Sequence, residues 1–184
     1  RRHPQKKLYT ASKIPPKNFQ WPARPENTFE ESYPTSHIVE YTNKTLKNLG
    51  LEQLDLMQFH TWDDGWSDRE EWQRAIEDLK SSGKIVAMGI SVNRWEPENG
   101  IKAIETGLID AVQVIYNIFD QAPVDVLFPL CEKLDIAVIA RVPFDEGTLT
   151  GSITEATPVP EGDGRATSLV PETLPPRAKR PNAL

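Results

Sequence analysis

The stretch Asp55-Leu-Met-Gln-Phe-His60, "DLMQFH", decides how this sequence is read. Its first five residues read as a short buried strand, and its sixth is an imidazole. The loop "TWDDGW" (Thr61–Trp66) follows at once, so the histidine stands where a strand gives way to a loop. Two readings are open at that point. His60 is either a core histidine hydrogen-bonded to backbone or a catalytic group at the mouth of a barrel.

Working outward, the chain alternates strand and helix. "KKLYTASK" (Lys6–Lys13) reads as a first strand. "SHIVEYTNKTLKNLG" reads as a helix with Ser36 at its N-cap and Gly50 just past its end. After "LDLMQFH" comes "SDREEWQRAIEDLKSSG", with Ser67 and Glu70 as a capping box and one apolar stripe of Trp72, Ala75, Ile76 and Leu79. "IVAMGIS" (Ile85–Ser91), "DAVQVIYN" (Asp110–Asn117) and "IAVIARVPF" (Ile136–Phe144) read as strands, with "EPENGIKAIETG" and "VDVLFPLCEKL" as the helices between them. Five apolar strands alternating with four amphipathic helices imply a parallel sheet covered by helices. The proline-rich segment Ile14–Ser36 reads as loop, since prolines stop helices from propagating. Residues 1–150 form one domain in this reading, and 151–184 a proline-rich tail, looped or partly disordered.

Composition narrows the function. The 184 residues suffice for one core, and a net charge of -6 gives no electrostatic reason to expect nucleic acid or an anionic membrane. No apolar run approaches the ~18–20 residues of a membrane span, and no signal-peptide core follows the basic start "RRHPQKK". The single cysteine, Cys131, forms no internal disulfide and suits a reducing cytoplasm, where it reads as a packing residue. With three histidines in all, no metal site is expected. His60 with Asp63 and Asp64 is the alternative ligand set, that of a metal-dependent hydrolase.

Ligands of parallel α/β proteins bind at the carboxyl ends of the strands. Each of the five strands ends there in a polar group: Lys13, His60, Ser91 with Asn93, Gln113 with Asn117, and Arg141. Five such ends favour a shared site. A lysine and a histidine together polarise a carbonyl or lower the pKa of a neighbouring acid. Gln113 and Asn93 carry both donors and acceptors, as an amide ligand requires. Arg141 offers a planar cation that stacks on a ring or binds phosphate.

These ends, in this order, make the sequence resemble the aldo-keto reductases. The resemblance rests on "TASK", "LGLEQLDLMQFH", "AIEDLKSSGKIVAMGIS", "TGLIDAVQVIYN" and "IAVIARVPFDEGTLTG", and covers roughly Leu8 to Arg165. It implies a (β/α)8 TIM barrel, incomplete in this chain, which holds about five strands and lacks the first two and the last. It implies NADPH as cofactor, bound without a Gly-rich fingerprint, and a small-molecule carbonyl substrate, an aldehyde or ketone reduced to an alcohol by hydride transfer. Lys13 matches the family's catalytic lysine and His60 the histidine that orients the carbonyl oxygen. Gln113 matches the residue that binds the nicotinamide carboxamide, and Ser91 and Asn93 the serine and asparagine beside it. Arg141 stands where the family places a tyrosine stacked on nicotinamide, and Val142, Pro143 and Phe144 match the loop along the pyrophosphate. Trp62 is expected to line an apolar substrate pocket.

None of Tyr9, Tyr33, Tyr41 and Tyr116 stands in the family's tyrosine motif. These residues alone are therefore expected to reduce carbonyls slowly, because a positioned general acid contributes about 10²–10⁴-fold. The competing reading is a catalytically silent nucleotide-binding or regulatory barrel.

Overall fold

A computed structural model describes residues 8–93, 95–154, 156–158, 160, 162–163 and 165. Along the chain run β1 (Ala11–Ile14), α1 (Phe29–Ser32), α2 (Thr35–Leu49), β2 (Leu54–Phe59), α3 (Glu70–Ser81), β3 (Ile85–Ser91), α4 (Ile101–Glu105), β4 (Ala111–Ile115), α5 (Leu127–Lys133) and β5 (Ala137–Arg141). The strands lie side by side in sequence order, β1-β2-β3-β4-β5. The ladders β1–β2, β2–β3 and β3–β4 are parallel, so the expected parallel α/β sheet is present. The first seven residues and most of the expected tail from 151 lie outside the described residues. No helix among the described residues is long and apolar enough to cross a membrane.

The chain divides into two compact units. The first comprises Arg1–Val114 and Ala122–Ile139, and the second Ile115–Gln121 and Ala140–Leu184.

In the first unit, local sequence explains most element boundaries. Gly50 ends α2 in the left-handed conformation, its N–H donating to Leu46 O and Lys47 O. The expected stripe of α3 is buried in full: Trp72, Ala75, Ile76 and Leu79. Two helix starts differ from expectation. α2 begins one residue before Ser36, at Thr35, directly after Pro34, and carries no side-chain cap. α3 begins at Glu70, not at Ser67, because a 3-10 turn over Asp64–Trp66 draws Ser67 into itself. The Ser67 hydroxyl donates to Asp64 Oδ1 at 3.2 Å instead of capping the helix.

The proline-rich loop after β1 also holds structure where none was expected. Thr28 Oγ1 accepts from Glu31 N at 3.3 Å, and Glu31 Oε2 accepts from Thr28 N at 3.1 Å, a capping box that starts α1. Phe29 of α1 is thereby turned into the core.

The core lies between the helices and the sheet face that carries Ile14, Met57, Phe59, Met88, Ile90, Val112 and Val114. Near the carboxyl ends of the strands it is mostly aromatic. Tyr33 packs on Phe59 at 4.7 Å between ring centroids, and Trp62 meets Trp72 at 5.3 Å and Trp66 at 5.7 Å, both edge-on. Such pairs add about 0.5–1.5 kcal/mol each beyond area burial. Cys131, buried on α5, packs in this core as expected.

Asp64 joins the aromatic layer to α4, whose own N-cap, Gly100, offers no side chain. Its carboxylate accepts from Lys102 N at 2.9 Å, Ala103 N at 3.3 Å and the Trp62 indole N–H at 2.9 Å. A cap from far along the chain thus replaces the local one. Replacing Asp64 with Ala is expected to lower stability by about 2 kcal/mol, the sum of a lost cap and a lost indole partner. Urea unfolding followed by circular dichroism measures it, and a loss below about 0.5 kcal/mol contradicts this role for Asp64.

Candidate active site

Strand register decides which side chains share a face. Lys13 is paired with Gln58, Gln58 with Gly89, and Gly89 with Ala111. These side chains therefore lie in one row on the sheet face opposite the helices. One layer toward the carboxyl edge, Ser91 is paired with Gln113 on the same face. His60 lies two residues beyond Gln58 and keeps its parity. It is still held by the ladder, since its N–H donates to Ile14 O at 3.0 Å. Register therefore brings Lys13, His60, Ser91 and Gln113 to one edge of one face. Lys13 is half-buried, Ser91 is buried and His60 is exposed.

Gly89 makes room in this row. A Cβ there would stand 2.9 Å from Ala111 O and 3.0 Å from Gln58 Cγ, so only glycine lets the Gln58 side chain lie across β3. Gln58 itself is 3% exposed. Its Oε1 has no hydrogen-bond partner among the described residues.

Behind His60, Thr61 is tied on every polar atom. Its N–H donates to the Tyr33 hydroxyl and its C=O accepts from that hydroxyl, both at 3.1 Å. Its own hydroxyl accepts from Ala23 N at 2.8 Å and donates to Asn93 Oδ1 at 3.0 Å. Asn93 Nδ2 then donates to Ala23 O and to Glu96 Oε2, each at 3.0 Å. The loops after β1, β2 and β3 are locked together in this way. Asn93, expected beside the cofactor, spends its carboxamide on this lock. Burial pushes the Tyr33 phenol well above its ordinary value, against the smaller opposing effect of its backbone hydrogen bonds.

The loop after β1 is fastened on both sides of Trp21. Lys17 N donates to Ser32 O at 2.7 Å on one side, and Ala23 is held by Thr61 and Asn93 on the other. Between these points the Trp21 ring meets the His60 ring edge-on, 5.5 Å between centroids, and Phe19 stands 6.3 Å from Trp21. Trp62, expected in a substrate pocket, is fully buried beneath this edge, held by Asp64 and packed on Phe59. Adjacency to His60 in sequence suggested Trp62, but the aromatic beside the imidazole is Trp21. The one signal for it in the sequence was the proline-rich loop directly following Lys13.

The alternative ligand set does not assemble. Asp63 Oδ1 accepts from Gly65 N at 2.8 Å, and the Asp64 carboxylate is spent on α4 and Trp62. No group of three or more His, Cys, Asp or Glu among the described residues is placed to hold a metal. By contrast, Ser91 and Gln113 are paired across the ladder, and among the described residues neither side chain is drawn into the hydrogen bonds that hold Asn93 and Thr61. With the orphan Gln58 oxygen in the same face, this donor and acceptor set fits a flat ligand bearing a carboxamide.

In the second unit, Arg141 ends β5 and the chain leaves it through Val142 at φ 58°, an uncommon conformation for a β-branched residue. Asn117 supports that turn by donating from Nδ2 to Val142 O at 3.2 Å and to Asp120 Oδ2 at 3.0 Å. Pro143 and Phe144 are exposed beyond it. Asp163 is held down at about 2 by hydrogen bonds from Arg165.

The chain matches the family model described as the aldo/keto reductase family over residues 1–175. It is 31% identical over 120 residues to the NADH-specific methylglyoxal reductase of Escherichia coli strain K12, an overlap of 64% of this chain and 36% of that protein. It is 35% identical over 118 residues to the oxidoreductase YqkF of Bacillus subtilis, covering 62% and 36%. Among solved structures, the glycerol dehydrogenase of Gluconobacter oxydans superposes with a TM-score of 0.73 at 24% identity, over 99% of this chain and 55% of that one, a likeness of fold. The apo form of an aldo-keto reductase from Bacillus halodurans gives 0.56 at 29% identity, over 71% and 43%. The match to these two curated relatives spans 36% of the length of each.

Replacing Tyr33 with Phe leaves two buried backbone groups of Thr61 without a partner and is expected to cost about 1–3 kcal/mol. The folded chain holds the Tyr33 proton to higher pH than the unfolded chain does. Its contribution is therefore full below about pH 10 and lost as pH rises through the folded value. Urea unfolding from neutral pH to about pH 11 checks both. The wild-type protein should lose more stability above about pH 10 than the Tyr33→Phe variant, and parallel losses contradict the assignment.

Proposed function

The chain belongs to the aldo/keto reductase family, and from that premise we propose that it carries the carbonyl-orienting and nicotinamide-binding part of an NADPH-dependent oxidoreductase that reduces aldehydes or ketones to alcohols. The observation that carries this reading is register. It brings a lysine, a histidine, a serine and a glutamine from four successive strands to one edge of one sheet face.

When bound, the reduced nicotinamide supplies a hydride to the carbonyl carbon. Ser91 and Gln113, paired on the same face, hold its carboxamide through a hydroxyl and an amide. His60, exposed at the end of β2 and fixed by the Ile14 hydrogen bond, donates to the carbonyl oxygen and orients it. Lys13, half-buried in the adjacent strand, sets a positive charge toward the oxygen as it gains electron density. Tyr33, hydrogen-bonded to both backbone groups of Thr61, is not the acid of this scheme. The 184-residue chain by itself is therefore slow, by the factor of about 10²–10⁴ that a positioned acid contributes.

The relative in Escherichia coli is described as NADH-specific, so both cofactors belong in the test. The protein encoded by the whole reading frame should consume NADPH with methylglyoxal or a simple aldehyde, and a Lys13→Met variant should lose about 10²-fold or more in kcat with little change in cofactor affinity. No turnover with either cofactor, or an unchanged kcat in the variant, contradicts the proposal.

A further inference from the structure

The sheet face opposite the helices buries an acceptor that the fold leaves over. Gln58 is 3% exposed, and its Oε1 has no hydrogen-bond partner among the described residues. Orphaning a buried acceptor is costly, and an apolar side chain of the same length avoids that cost. The fold instead makes room for the carboxamide. A Cβ on Gly89 would stand 3.0 Å from Gln58 Cγ, and its absence lets the glutamine lie across β3. A local rule broken in this way points to a partner that arrives with function.

Register limits what that partner is. Two residues before Gln58 on the same face stands Leu56, paired with Ala11 on one side and Ala87 on the other. Gly89 and Ala111 continue the row of Gln58 toward β4. None of these five side chains carries a donor. On the remaining side, paired with Gln58 from β1, is Lys13. Lys13 is half-buried, and its ammonium carries three N–H donors on a flexible stem.

Resting on the reductase reading above, we propose that Gln58 is a positioning residue, whose Oε1 accepts from the Lys13 ammonium once reduced cofactor covers the row and so holds that charge toward the carbonyl oxygen. Covering the site excludes water from a half-buried ammonium, and an acceptor in the same row replaces it. A neutral carboxamide suits the task, because it fixes the ammonium without cancelling the charge that stabilises the developing alkoxide.

Two variants of the protein encoded by the whole reading frame test the assignment. Gln58→Met keeps the length of the side chain and removes its oxygen, while Gln58→Glu keeps an oxygen and adds a charge. In NMR with saturating NADPH, the Lys13 ammonium protons should exchange with water more slowly in the wild-type protein than in Gln58→Met, and Gln58→Glu should restore the slow exchange. With a simple aldehyde, kcat should fall about tenfold or more in Gln58→Met, the loss of one hydrogen bond to a charged group, with KM and cofactor affinity changed less than about twofold. Gln58→Glu should not recover kcat, since its carboxylate cancels the charge. Without cofactor, Gln58→Met should resist urea at least as well as the wild-type protein, because it loses an orphan rather than a bond. Equal ammonium exchange in the wild-type protein and Gln58→Met, while NADPH shifts the Gln113 side-chain amide, overturns the proposal and leaves the reductase reading standing. An unchanged kcat in Gln58→Met, or a marked loss of its stability, overturns the proposal as well. NADPH that moves neither the Lys13 nor the Gln113 resonances removes the reductase reading and the proposal with it.

Discussion

The first unit depends most on the hydrogen bonding around Thr61. Four polar contacts converge there: two with the Tyr33 hydroxyl, one from Ala23 N–H and one to Asn93. They come from three different stretches of chain, and three of the four leave a buried backbone group unsatisfied if broken. Buried polar groups are costly when orphaned, so such a knot holds its members in one arrangement or fails as a whole. The residue before it is His60. The imidazole is exposed while its backbone is held by β1 on one side and its neighbour by the knot on the other.

A second constraint is space on the sheet face opposite the helices. Gly89 is small because Ala111 O and Gln58 approach it closely, and that absence of a side chain lets a buried glutamine lie between Lys13 and β4. The row grades from charged to polar to small across the strands. On the other face, the aromatic cluster from Phe29 to Trp72 fixes the strands that carry these residues.

Much of this was legible in the sequence. β3 runs over Ile85–Ser91 as its apolar composition indicates, and the stripe of α3 is buried where helical spacing puts it. Lys13, His60, Ser91 and Gln113 stand out in the sequence as polar groups closing apolar runs, whereas the face they share follows from the register of the ladders. What stayed hidden involves side chains that reach across the chain. Ser67 resembles a helix cap, but Asp64 competes for its hydroxyl. Asn93 resembles a ligand-binding amide, but the Ala23 loop claims it. Trp62 follows His60, yet strand alternation ends at Phe59 and the 3-10 turn over Asp64–Trp66 folds its indole inward, while Trp21 arrives from a distant loop.

The central claim is that side chains ending separate strands gather around one nicotinamide ring. Saturation-transfer NMR on the protein with reduced cofactor tests it most directly, by saturating the nicotinamide protons and reading the protein side chains that respond. The account predicts responses from the His60 ring and the Gln113 side-chain amide, with none from core residues such as Trp72 on the helix side of the sheet. Responses that bypass both His60 and Gln113 while the cofactor is bound contradict it.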